Sequence, residues 1–138
     1  MAYYHLGELI HEQAKKYGSR TALKYQDEQG MWVTMAWSLF SERIMKAARA
    51  LAEMGVRPND NVGVYSQNME QYLVTDFAAF ANRAVVVPMY ATASPEQVSY
   101  IVNDAGIKVL FVGEQFQYNN AYMVQQEPGA LHKLIVFD

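Results

Sequence analysis

The sequence predicts an α/β fold, a parallel sheet of about four strands with helices on both faces, preceded by a helix and a β-hairpin. Residues 83–112 lay out a strand, a loop, a helix and a second strand. Val85–Val87 are a β-branched run suited to a strand buried on both faces, Pro88 ends it, and Val109–Val112 form the next apolar run. The predicted strands begin near residues 62, 85, 109 and 134, at an even interval. Three successive βαβ units with right-handed crossovers follow.

The N-terminal part is predicted to be a helix followed by a hairpin. Apolar residues recur at helical spacing between Leu6 and Tyr17, and Gly18 can end that helix. Residues 22–25 and 31–34 then flank a polar connection that contains glycine, which is typical of a hairpin.

Capping residues predict the two helices that surround the first sheet strand, Val62–Tyr65. Thr34 or Ser38 is the predicted N-cap of the helix before it, and Asn68, answered by Gln71, is that of the helix after it. The predicted buried stripes are Phe40, Ile44, Ala47, Ala48 and Leu51 in the first helix, and Leu73, Phe77, Phe80 and Ala81 in the second.

The remaining helices carry clear start signals. Ser94, with Pro95 at the first helical position and Gln97 two residues later, predicts a capping box. A more polar helix is predicted over Glu114–Gln126, and the last strand over Leu134–Phe137.

Composition narrows the class of protein. A chain of 138 residues has the size of one domain, and a net charge of -3 without a basic block argues against a nucleic-acid binder. The absence of cysteine excludes disulfides, thiolate zinc sites and thiol nucleophiles in these residues. The N-terminus does not resemble a secretory signal, and no apolar run is long enough to span a bilayer. We therefore expect a cytoplasmic chain, with peripheral membrane contact left open.

Part of the protein surface is expected to form an interface rather than to face solvent. Charged residues make up 18% of the chain, against about 25% in typical soluble domains. Ten tyrosines and eight methionines favour interfaces, although both types also fill cores. A homo-oligomer is therefore left open.

Ligands usually bind at the carboxyl ends of parallel strands, which makes three predicted loops the candidate site. These loops are Ser66–Asn68, Met89–Ser94 and Gly113–Gln115. The competing interpretation is that Asn68 and Ser94 are helix caps only. Tyr90 and Thr92 could reach a substrate, but we expect them to pack structurally.

Other site patterns are weak. The spacing of His5, His11 and His132 does not predict a metal site. Asp76 lies near an apolar stripe, without a predicted partner for acid-base chemistry. Asp104 and Glu114 are placed at the ends of elements. The glycine patterns of phosphate loops, dinucleotide folds and hydrolase elbows are absent from the sequence.

The order of several short motifs resembles the beginning of the adenylate-forming acyl-CoA synthetases, and most of all the bacterial long-chain fatty-acid members. These motifs are TALKY, MWVTM, ALAEMGVRPNDNVGVYSQN and VVVPMYATASPEQVSYIVNDAGIKVLFV. Three positions depart from the family pattern. Asn59 and Arg83 stand where glycine is common, and Tyr72 stands where tryptophan is common.

The resemblance implies an N-terminal fragment of an ATP-dependent long-chain fatty-acid CoA ligase. Residues 1–138 would be a partial domain, with the helix and hairpin in 1–36 and the βα units in 37–138. ATP, magnesium, coenzyme A, a fatty acid and the rest of the chain are implied for the complete enzyme. The implied phosphate loop and catalytic lysine lie beyond Asp138. We expect no catalytic, cofactor-binding or metal-binding residue in this fragment, and no ligase activity from it alone.

Two other classes are left open. One is a free-standing α/β binding or receiver-like module, although Tyr65, Ser66 and Gln67 supply neither paired acids nor a glycine-rich loop after the first sheet strand. The other is an interaction domain that dimerises through a face rich in tyrosine and methionine.

Overall fold

A computed structural model of the chain describes residues 5–137. Its helices are α1 (Leu6–Tyr17), α2 (Trp37–Glu53), α3 (Glu70–Ala81), α4 (Pro95–Asp104) and α5 (Gln115–Gln126). Its strands are β1 (Thr21–Gln26), β2 (Trp32–Ala36), β3 (Asn61–Tyr65), β4 (Val85–Met89), β5 (Val109–Val112) and β6 (Lys133–Val136). The chain divides into two compact units, residues 1–57 with 69–83 and residues 58–68 with 84–138.

The first unit contains α1, the antiparallel hairpin β1-β2, α2 and α3. The side chains at the centre of its core are Ile10, Met35, Phe40 and Ile44. Helices α1 and α3 approach closely at Gly7, where a Cβ atom would lie 2.7 Å from the Ala81 Cα. A larger residue at position 7 would therefore push the two helices apart.

The predicted side-chain cap of α2 is wrong. β2 runs directly into α2, and Ala36 occupies the N-cap without a side-chain bond, so neither Thr34 nor Ser38 caps the helix. The first two helical amides instead donate to the carbonyls of Arg20 and Gly18, at 3.0 Å each. Because backbone acceptors satisfy these amides, a capping side chain is not needed.

The predicted cap of α3 is also wrong. The helix begins at Glu70, and Met69, not Asn68, is the N-cap, without a side-chain bond. Glu70 places a negative charge in the first turn, where the positive end of the helix dipole favours it. The spacing of Asn68 and Gln71 fits a capping box, but the N-cap of α3 is Met69, one residue after the predicted position.

The predicted stripe of α3 is only partly right. Phe77 packs against the core of the first unit, whereas Leu73 is 39% exposed. The buried residues of α3 are Thr75, Ala78 and Ala79. The predicted stripe favoured the larger side chains, whereas the structure buries the small ones.

The second unit is built on a four-stranded parallel sheet in the order β4-β3-β5-β6. Its core brings together buried residues of the sheet, α4 and α5: Tyr65, Met89, Ala93, Val98, Val102, Ile107, Leu110, Val112, Ala121, Val124 and Leu131. The predicted α/β architecture of a parallel sheet preceded by a helix and a hairpin is confirmed.

Two expectations about β4 are wrong. β4 is an edge strand of the described sheet, and Val85 is 47% exposed, so the valine run is not buried on both faces. The strand also continues through Pro88 to Met89, since an edge strand can lack one ladder donor. β6 forms the other edge and covers Lys133–Val136, one residue earlier than predicted.

Candidate functional site

The three predicted loops follow β3, β4 and β5 and therefore share the carboxyl edge of the sheet in the second unit. Their sequences are Ser66–Asn68, Met89–Ser94 and Gly113–Gln115. Glu114 is the single charged residue among these loops, and none of them contains lysine or arginine. The edge can thus offer hydroxyl, amide and backbone groups to a ligand, but no cation for a phosphate.

Gly113 lets two of these loops come together. Its amide donates to the Tyr65 carbonyl at 3.1 Å. A Cβ atom on Gly113 would overlap the Ser66 Oγ and lie 2.7 Å from the Gln67 Oε1. The position consequently requires glycine for reasons of space.

A buried hydrogen-bond network fixes the middle loop. The Tyr65 hydroxyl donates to the Ala93 carbonyl at 2.6 Å, and the Asn120 Nδ2 donates to the Tyr65 hydroxyl at 2.9 Å. The Gln117 Nε2 donates to the Ala91 carbonyl at 2.8 Å. Strand β3, helix α5 and the loop are thereby held in one arrangement.

Sequence reasoning missed this network. Gln117, Asn120, Ala121 and Val124 share the buried face of α5 at helical spacing. That spacing was a usable signal, but polar residues on an apolar face do not reveal which distant carbonyls they reach.

Ser94 is a helix cap, as the competing interpretation held. Its hydroxyl accepts from the Gln97 amide at 3.3 Å, and its own amide donates to the Gln97 Oε1 at 2.9 Å. Asn68 is exposed and is not the cap. Tyr90 and Thr92 are also exposed, with Tyr90 at 88%, so the expectation that they pack structurally is wrong.

Gln67 has an unpaired polar atom at this edge. Its Oε1 is buried, and no donor in the described chain reaches it. A buried acceptor without a donor costs free energy, which makes this oxygen a place where a further donor would be stabilising.

Asp76 lies in α3, in the first unit. Burial raises the pKa of its carboxyl group to about 6, and its Oδ1 is buried without a hydrogen-bond partner in the described residues. Burial also raises the pKa of Tyr72, and the Asp76 charge adds to that effect.

The histidines serve other roles or face solvent. The Gly7 amide donates to the His5 Nδ1 at 3.0 Å, so His5 caps α1. His11 and His132 are exposed. Within residues 5–137, no three histidine, aspartate or glutamate side chains are grouped to hold a metal ion.

The other acidic candidates lie at helix ends, as predicted. Asp104 is the last residue of α4, and Glu114 is the N-cap of α5, where its amide donates to the Gln117 Oε1 at 3.0 Å.

Within residues 5–137, no helix is long and apolar enough to cross a membrane.

Comparison with known proteins identifies the family to which this chain belongs. The profile of the AMP-binding enzyme family matches residues 10–137. The long-chain-fatty-acid–CoA ligase FadD15 of Mycobacterium bovis is 32% identical over 76% of this chain and 17% of its own length. The long-chain-fatty-acid–CoA ligase ACSBG2 of Mus musculus is 26% identical over 94% of this chain and 19% of its length.

A solved structure gives the same result. The crystal structure of a long-chain-fatty-acid–CoA ligase (FadD1) from Archaeoglobus fulgidus superposes with a TM-score of 0.82 at 25% identity, over 99% of this chain and 28% of that one. This chain thus spans less than a third of the length of each of these three proteins. The predicted resemblance to acyl-CoA synthetases is confirmed, and because the profile covers nearly all of the sequence, the chain belongs to the AMP-binding enzyme family.

Proposed function

We propose that this chain is the N-terminal part of an ATP-dependent long-chain fatty-acid CoA ligase, in which it supplies scaffold. The names of the two curated relatives support the substrate class. The complete enzyme would join the carboxylate of a fatty acid to the AMP part of ATP with release of pyrophosphate. It would then pass the acyl group to the thiol of coenzyme A with release of AMP.

One structural observation carries the scaffold role. Around the middle carboxyl-edge loop, the polar side chains of Tyr65, Gln117 and Asn120 use their donors on the protein itself. Groups engaged in this way position the backbone and leave little capacity for a reacting atom.

ATP, magnesium and coenzyme A belong to the proposed complete enzyme. The edge loops carry no lysine or arginine for a phosphate, and we assign no step of the reaction to the described residues. The absence of catalytic residues, the cytoplasmic location, peripheral membrane contact and self-association stay predictions.

ATP–pyrophosphate exchange with palmitate tests the proposal. We expect no exchange from the 138-residue chain and measurable exchange when the chain is extended through its downstream coding sequence. The extended protein without palmitate is the control for background turnover. Exchange by the 138-residue chain itself would contradict the scaffold role, and an extended protein inactive on every long-chain acid would contradict the ligase assignment.

A further inference from the structure

An open groove of about 350 Å³ lies beside α4, in the second unit. It is lined by Tyr90, Ala93, Glu96, Gln97, Tyr100 and Ile101. Its walls combine aromatic and aliphatic surface with a single carboxylate, so it has the chemistry to bind a group that is both flat and cationic.

The aromatic walls face solvent. Tyr90 is 88% exposed and Tyr100 is 70% exposed. The backbone beneath them is nevertheless fixed, because the Tyr65 hydroxyl holds the Ala93 carbonyl and the Ser94 capping box starts α4. Exposed rings on a fixed backbone lose little conformational freedom on binding, which favours recognition.

The carboxylate of the groove is available for pairing. The Ser94 hydroxyl donates to the Glu96 Oε2 at 2.7 Å, and this bond lowers the pKa of Glu96. A hydrogen bond from the Glu96 backbone amide lowers this pKa further. Glu96 is exposed and forms no ion pair with a lysine or arginine of the described residues, so it is an anion at neutral pH that a cationic group can approach.

The net charge of the segment that carries the groove favours a basic partner. Residues 84–132 contain the four acidic residues Glu96, Asp104, Glu114 and Glu127 and the single basic residue Lys108, a net charge of -3. The whole chain also has a net charge of -3, so this segment accounts for all of it. An acidic surface of this kind attracts cationic segments and repels acidic ones.

We propose that this groove binds an arginine side chain of a partner protein. The guanidinium group would lie against the rings of Tyr90 and Tyr100 and pair with Glu96, while apolar neighbours of the arginine cover Ala93 and Ile101. Arginine suits the groove better than lysine, because its planar group stacks on aromatic rings and pairs with a carboxylate at the same time.

An NMR titration of the 138-residue chain tests this proposal. The probe is a short synthetic peptide of glycine, alanine and leucine with one central arginine. The matched peptide carries citrulline, which has the same shape without the charge. We expect the arginine peptide to shift the resonances of Tyr90, Glu96 and Tyr100, to bind about fivefold more tightly than the citrulline peptide, and to weaken with added salt.

Variants localise the effect. Glu96→Gln should reduce binding of the arginine peptide to the level of the citrulline peptide, and Tyr90→Ala should weaken it severalfold. Asp104→Asn is the matched control, since it removes the same charge from an exposed site on the same helix outside the groove. It should change binding by less than about twofold.

Three outcomes would overturn the proposal. Equal affinity for both peptides would show an apolar groove without charge recognition. Equal effects of Glu96→Gln and Asp104→Asn would show nonspecific attraction. A doubled mass by light scattering, reversed by Tyr90→Ala, would show that a second copy of this chain occupies the groove.

Discussion

Among residues 5–137, two non-glycine residues have a backbone conformation that normally belongs to glycine. Asn59 has φ 69° and Arg83 has φ 57°. Both stand where the family resemblance predicts glycine. Asparagine tolerates this region, whereas a long side chain such as arginine is strained there. Arg83 follows the last turn of α3, and its amide donates to the Phe80 carbonyl at 2.9 Å, so the position is a helix terminus that glycine usually fills.

Arg83→Gly should therefore stabilise the chain. We expect the free energy of unfolding to rise by about 0.5–1 kcal/mol, because relief of the left-handed strain exceeds the entropy that glycine adds to the unfolded chain. Urea unfolding followed by circular dichroism measures the change. Arg83→Ala is the control, since it removes the side chain and keeps the strain; an equal gain in both variants would refute the backbone explanation.

Asp76 should make stability depend on pH. Its folded pKa of about 6 lies above the unfolded value of about 3.9, so the folded state binds more protons between these values. Stability then falls as the pH rises from about 4 to about 6, and the cost persists above that range. The carboxyl group is only partly buried, so we expect a loss of about 1–2 kcal/mol.

Asp76→Asn should abolish this dependence and make the chain more stable than the parent at pH 7.5. Thermal unfolding at a series of pH values checks it. The exposed Asp104→Asn serves as the comparison and should leave the pH profile of the parent intact. A parent whose stability rises between pH 4 and 6, with Asp76→Asn showing the same rise, would contradict the assignment.

At the scale of elements, the sequence predicts structure well where the signal is local. The capping box of Ser94 needs only its own four residues, and it forms as predicted. The caps of α2 and α3 depend on the tertiary structure around the start of each helix. In α2, the backbone carbonyls of Arg20 and Gly18 accept the first helical amides in place of a capping side chain. The Val85–Val87 run has the composition of a central strand, yet strand order places it at an edge.

The hydrogen bonds that join β3, the middle loop and α5 should contribute measurably to stability. Tyr65→Phe removes the hydroxyl and leaves the Ala93 carbonyl without its 2.6 Å donor. We expect a loss of about 1–3 kcal/mol, since both the carbonyl and the Asn120 amide lose a partner in a buried site. Chemical denaturation measures it. Tyr100→Phe, which changes an exposed hydroxyl, should be neutral; a neutral Tyr65→Phe would mean that the network adds nothing.

For the whole molecule, periodicity and strand spacing were sufficient to predict the parallel sheet, and the parallel sheet was sufficient to locate the candidate edge. The details of that edge were not predictable from sequence. The contact of Gly113 with Ser66 and Gln67 joins two loops that follow different strands, and the exposure of Tyr90 depends on what packs beside it. Such facts follow from tertiary geometry, which local patterns do not encode.

We propose that these residues support a site whose phosphate-handling groups lie elsewhere in a longer ligase. Isothermal titration of magnesium ATP into the purified 138-residue chain tests this most directly. We predict no saturable heat at nucleotide concentrations up to the millimolar range, with or without palmitate. Saturable binding at micromolar concentration, accompanied by acyl-adenylate in the mixture, would contradict the account.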